Sequence, residues 1–128
     1  MSWTKGESIT LPNNIKAQQF QYPKNDMKVI ICEMHTAPIT GYMRVVNAGS
    51  AMENGVCGKG IAHFIEHMSF RIDDGKYWKF EKEGHEDNAM TTEDATSFYD
   101  FGHYEHIKDV ISVDGHRFRT NEVPADGI

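Results

Sequence analysis

Short runs of alternating or β-branched apolar residues fill the first part of the chain, and a run with helical spacing follows. Residues 8–11 precede Pro12-Asn13-Asn14, so they predict a short strand ending in a turn, and residues 15–22 predict the returning strand. A second turn, Pro23-Lys24-Asn25-Asp26, leads into residues 27–34 (M-K-V-I-I-C-E-M), whose β-branched centre gives the clearest strand signal in the sequence. Residues 40–47 predict a further long strand after Pro38, and these strands are expected to share an antiparallel sheet. Gly49, Gly55, Gly58 and Gly60 mark residues 48–60 as a loop. From there the apolar positions Ile61, Phe64, Ile65 and Met68 predict a helix over residues 58–70, stopped by Asp73-Asp74-Gly75 and buried through those four side chains.

The second half continues the alternation. Residues 76–83 (K-Y-W-K-F-E-K-E) predict a short helix ending at Gly84, with its charges on a solvated face. Residues 86–92 and 95–101 predict two strands joined as a hairpin through Glu93-Asp94. Helical spacing returns in residues 103–112 through His106, Ile107 and Val110, whereas residues 114–128 are turn-rich and predict no closing element. No repeat or low-complexity tract interrupts the chain.

One stretch adds chemistry to this pattern. His63, Glu66 and His67 form H-x-x-E-H on the predicted helix, where positions three and four apart share a face. Two imidazole nitrogens can then meet one ion with a carboxylate beside them, an arrangement of the inverzincin type. A helix with these polar residues simply turned to water is the alternative. The glycine-rich loop carries neither G-x-x-x-x-G-K-[ST] nor G-x-G-x-x-G, so nucleotide binding is not expected. His103 and His106 sit three apart with Glu105 between them, a spacing that suits satisfied or exposed histidines better than a second metal pair.

The flanks of the motif decide more than the motif does. Asn47-Ala48-Gly49-Ser50 with Glu53, then Gly60, Ala62, Met68 and Phe70, resemble the A-G-S-x-x-E…G-x-A-H-F-x-E-H-M-x-F block of the pitrilysin, insulinase and mitochondrial-processing-peptidase family. A second block, residues 84–99 (G-H-E-D-N-A-M-T-T-E-D-A-T-S-F-Y), resembles that family's G-x-x-x-N-A-x-T…T-x-Y segment. The resemblance implies an inverzincin metallopeptidase: Zn2+ as cofactor, His63 and His67 as metal ligands and Glu66 as catalytic base. It further implies that Asn88, Ala89, Met90 and Thr91 form a substrate-binding edge strand, on which a peptide or unfolded polypeptide adds through main-chain hydrogen bonds. Glu53 matches an acidic position of the block but has no chemistry derivable from the sequence.

Fold and function expectations follow together. The fold is expected to be α+β, a mostly antiparallel sheet with helices on one face and the motif helix among them, in a single domain over residues 1–128. In the family a glutamate farther along the chain supplies the third zinc ligand, at a position past Ile128. The chain is therefore expected to be the N-terminal part of a zinc-dependent endopeptidase, inactive alone and completed by a downstream segment or a second chain. A non-catalytic peptide-binding or structural subunit that keeps the fold is the alternative.

Composition narrows the partners. A net charge of −6 without a basic cluster argues against nucleic acid, and 39% hydrophobic with 25% charged residues is an ordinary globular balance. No run reaches the ~20 apolar residues of a membrane span and no leader pattern opens the chain, so a cytoplasmic protein without membrane contact is expected. Cys32 and Cys57 lack C-x-x-C spacing and are expected to be free thiols, with a disulfide as the other reading.

Overall fold

The computed structural model describes residues 2–55, 58–71 and 84–119. It is α+β, and its contacts divide into two compact units, Met1–Pro38 and Ile39–Ile128. The strands of the first half do not share one sheet as expected: they are divided between two three-stranded antiparallel sheets, one in each unit. A composition pattern identifies strands but carries no pairing partner, which accounts for the difference.

The first unit is a meander of β1 (Thr4–Thr10), β2 (Lys16–Gln21) and β3 (Lys28–Glu33), in that order. Pro12–Asn14 turns the chain between β1 and β2, with Asn13 and Asn14 at φ 63° and 61°, a left-handed conformation that asparagine tolerates. β1 begins earlier than predicted, and its register slips between Lys5 and Ser8. Gln18 repairs that irregularity, because its Nε2 donates to the carbonyls of Gly6 and Glu7 at 3.0 Å each. Cys32, on β3, is an exposed free thiol.

The second unit contains β4 (Ile39–Val46), α1 (Ile61–Ser69), β5 (Glu86–Thr91), β6 (Thr96–His103) and α2 (Ile107–Arg117), with sheet order β4-β6-β5. Register places Tyr42 opposite Asp100, Arg44 opposite Phe98 and Thr96 opposite Thr91, so these residues share one face. Both helices pack on that face, as expected. Met68, Phe98, Val110 and Val113 form its buried apolar core, with the Phe98 ring 5.1 Å from Phe118 and 6.1 Å from Phe70. The opposite face leaves Ile39, Met43, Val45, Met90 and Phe101 exposed.

α2 runs to Arg117, where the sequence suggested only turns after residue 114. The stripe it buries is Val110, Val113, Asp114 and Arg117, at helical spacing but half polar, so hydrophobicity alone does not reveal it. Asp114 accepts hydrogen bonds from the Tyr42 hydroxyl and Arg44 Nε, each at 2.6 Å, and pairs with Arg44 Nη2 at 2.5 Å. Burial, then Asp114, pushes the Tyr42 phenol up to about 12. For Arg44, burial works against the charge, and Asp114 and Tyr42 outweigh it to raise the guanidinium above its ordinary value. Polar residues thus join α2 to β4, with the buried Asp114 as the acceptor shared by the half-buried Tyr42 and Arg44. The predicted helix over residues 76–83, together with Cys57, lies outside the described residues.

Candidate metal centre

α1 starts at Ile61, three residues later than the sequence suggested. Gly60 has φ 92°, a left-handed value that a right-handed helix cannot include, so the first helical hydrogen bond runs from Phe64 N–H to the Gly60 carbonyl at 2.9 Å. The buried stripe differs from the expected one as well. Met68 is buried, but Phe64 and Ile65 are 49% and 58% exposed, and the helix turns Glu66 and Ser69 inward instead. A carboxylate takes the place of an apolar anchor because the sheet offers it a hydrogen-bond donor.

That donor is Thr91, whose Oγ1 donates to Glu66 Oε2. On the outer side of the helix, His63 and His67 stand one turn apart with their Nε2 atoms 3.0 Å from each other. One ligand atom from each of His63, Glu66 and His67 lies within 4.8 Å of the other two, the only such group of three or more His, Cys, Asp or Glu among the described residues. Two imidazole nitrogens at this separation suit a shared cation: tetrahedral zinc with bonds of ~2.0–2.1 Å sets its ligand nitrogens about 3.3 Å apart. Two imidazoles as donors, with the Glu66 carboxylate beside them, form a set that a zinc ion can accept.

Glu53 is the site residue that sequence reasoning missed. Its Oε2 accepts the Gly60 N–H at 2.7 Å and its Oε1 the Ala62 N–H at 3.0 Å, so one carboxylate satisfies two of the open amides at the start of α1. The amides of Ala62 and Gly60 hold its carboxyl below the usual range. An acid separated from the helix by a glycine loop was the available signal, but helix-capping patterns look for the acid at the helix itself.

The loop bearing Glu53 is fastened to the β5–β6 turn. Ser50 N–H donates to the Thr92 carbonyl at 3.0 Å and Ala51 N–H to the Glu93 carbonyl at 2.9 Å, while Thr96 Oγ1 donates to the Ala48 carbonyl at 2.8 Å. Gly49 permits this approach, since a Cβ there would sit 2.5 Å from both carbonyl oxygens of Thr92 and Glu93. The two sequence blocks are therefore one packed unit: the first supplies helix and cap, the second the strand that holds Glu66.

Asn88 and Met90 are exposed on β5, and Ala89 and Thr91 alternate with them toward the helix face. Asn88 Oδ1 accepts the Ala89 N–H at 2.8 Å, so this amide is not donated to β6. Among the described residues β5 pairs with β6 alone, which leaves its other edge open. His103 and His106 do not form a metal group: His106 packs edge-on against the buried His85, 5.2 Å between ring centroids, and His85 Nδ1 is 3.0 Å from Asp100 Oδ1.

The insulinase family model (peptidase family M16) matches residues 28–111, a span that takes in both blocks. The chain belongs to this family. Its fold is similar to that in the crystal structure of pitrilysin, with a TM-score of 0.80 and 21% sequence identity over 91% of this chain. The chain spans about 13% of the pitrilysin chain. No curated protein matches it. Among the described residues, no helix of this M16 chain is long and apolar enough to cross a membrane.

Proposed function

We propose that this chain carries the metal-holding and proton-transferring part of a zinc-dependent endopeptidase. The observation that supports the reading best is the pair of imidazole Nε2 atoms 3.0 Å apart with the Glu66 carboxylate beside them. His63 and His67 would hold zinc, which when bound acidifies a water and polarises a carbonyl. Glu66 is the general base: it takes a proton from the attacking water and returns it to the leaving amine. Its burial on the helix face next to Thr91 keeps the carboxylate in one place for both transfers.

The open edge of β5 at Asn88, Ala89, Met90 and Thr91 is the surface on which a peptide or unfolded polypeptide would add as a further strand. Main-chain pairing of this kind tolerates varied side chains. A hydrolytic zinc site uses three protein ligands, so one more besides His63 and His67 would complete it.

Glu66→Gln in the full-length protein tests the reading. It is expected to keep the fold and zinc while lowering chelator-sensitive hydrolysis of a fluorogenic peptide library by roughly a hundredfold or more. Unchanged turnover, or loss of zinc from the Gln variant, refutes the role given to Glu66.

A further inference from the structure

We propose that the side chain of Thr91 is a positioning group for Glu66 and not a substrate contact, an assignment that rests on reading Glu66 as the base. The register of β5 decides the direction of its side chain. Ala89 and Thr91 alternate with the exposed Asn88 and Met90, and Thr91 faces the same side of the sheet as Thr96, Phe98 and Asp100, where α1 packs. Only its backbone belongs to the open edge. Its hydroxyl meets Glu66 Oε2, the single hydrogen bond to that carboxylate among the described residues.

The neighbouring hydroxyl does not compete as a donor to Thr91. Thr96 Oγ1 lies 3.4 Å from Thr91 Oγ1 and donates its own hydrogen to the Ala48 carbonyl at 2.8 Å. Each hydroxyl has one hydrogen to give. Thr96 can therefore only accept from Thr91, and the Thr91 hydrogen goes to the nearer acceptor, Glu66 Oε2. A glutamate has three side-chain torsions, and a hydrogen bond at Oε2 from a rigid strand restricts them, leaving the other oxygen to receive a proton. The strand that would receive a peptide therefore also aligns the base that acts on it.

Thr91→Val preserves the shape and removes the donor, Thr91→Ala is a second donor-free variant in case the first folds poorly, and Thr91→Ser restores the hydroxyl. In the full-length protein, the donor-free variants are expected to lose kcat by roughly 10- to 100-fold, the range for one hydrogen bond to a charged group, with KM within about twofold of wild type and zinc content unchanged. Thr91→Ser is expected to recover most of that loss. A second readout needs neither metal nor turnover: in metal-free protein with 13C-labelled glutamate carboxyls, the Glu66 resonance, assigned by its absence from Glu66→Gln, moves in the donor-free variants and returns in Thr91→Ser. A resonance unmoved by Thr91→Val or Thr91→Ala overturns the proposal, as does a raised KM at constant kcat, which would make Thr91 a substrate contact. Full activity in Glu66→Gln would refute the base assignment instead, while the resonance would still report on the hydrogen bond.

Discussion

Gly49→Ala should disrupt the joint between the two halves of the site. Gly49 is buried, and its φ of −143° is extended backbone open to any residue, so the penalty is one of space and not of conformation. The added Cβ would lie 2.5 Å from the Thr92 and Glu93 carbonyl oxygens, against 3.4 Å for ordinary contact, so the turn must retreat by 3.4 − 2.5 = 0.9 Å. Both opposing atoms are backbone, and no side chain can swing aside. The hydrogen bonds from Ser50 and Ala51 to those same carbonyls, 3.0 and 2.9 Å long, cannot survive such a movement. Two neutral hydrogen bonds at about 1 kcal/mol each, with an overpacking penalty of about 1–3 kcal/mol, give a destabilisation of about 3–5 kcal/mol. Urea unfolding of wild type and variant measures it, and hydrogen exchange at the Ser50 and Ala51 amides locates it. A stability within about 0.5 kcal/mol of wild type, the range of an ordinary surface change, with both amides still protected, would refute the reasoning.

Glu53→Gln should weaken the start of α1 in a pH-dependent way. Because the folded protein holds the Glu53 carboxyl below its ordinary value of 4.5, its contribution is complete above that value and is lost as pH falls through the lowered one. The unfolding free-energy difference between wild type and Glu53→Gln should therefore be constant above pH 4.5 and close below it; a difference that does not change with pH contradicts the cap. Asp114→Ala removes the shared acceptor of Tyr42 and Arg44 and should destabilise the protein by about 1–3 kcal/mol, since it leaves a half-buried cation without its partner. Absorbance titration should also show the Tyr42 phenol ionising at lower pH than its wild-type value of about 12, without a full return, because burial is the larger cause of its shift.

The sequence was most informative where one physical signal acted alone. β3 lies within the predicted residues 27–34, because a β-branched run between turns has few other uses, and β5 and β6 form the expected hairpin. The H-x-x-E-H helix was legible for the same reason, and the family match over residues 28–111 agrees with the two blocks that suggested it. Polar residues with buried duties were not legible. Glu66 and Asp114 occupy inward positions that a hydrophobic pattern assigns to water, and in consequence Phe64 and Ile65 were given an anchoring role they do not have. Glu53 could not be interpreted either, because the amides it satisfies, those of Gly60 and Ala62, become its neighbours only when the glycine loop closes.

Metal content of the full-length protein carrying His63→Ala or His67→Ala shows whether the two imidazoles hold an ion. Each variant deletes one of two nitrogens that stand 3.0 Å apart on α1, and neither residue is buried, so the fold should survive while the ion is lost. Elemental analysis after dialysis is expected to find zinc in the wild type and a large loss from each variant, with circular dichroism unchanged. Stoichiometric zinc retained by both variants would contradict the ligand assignment.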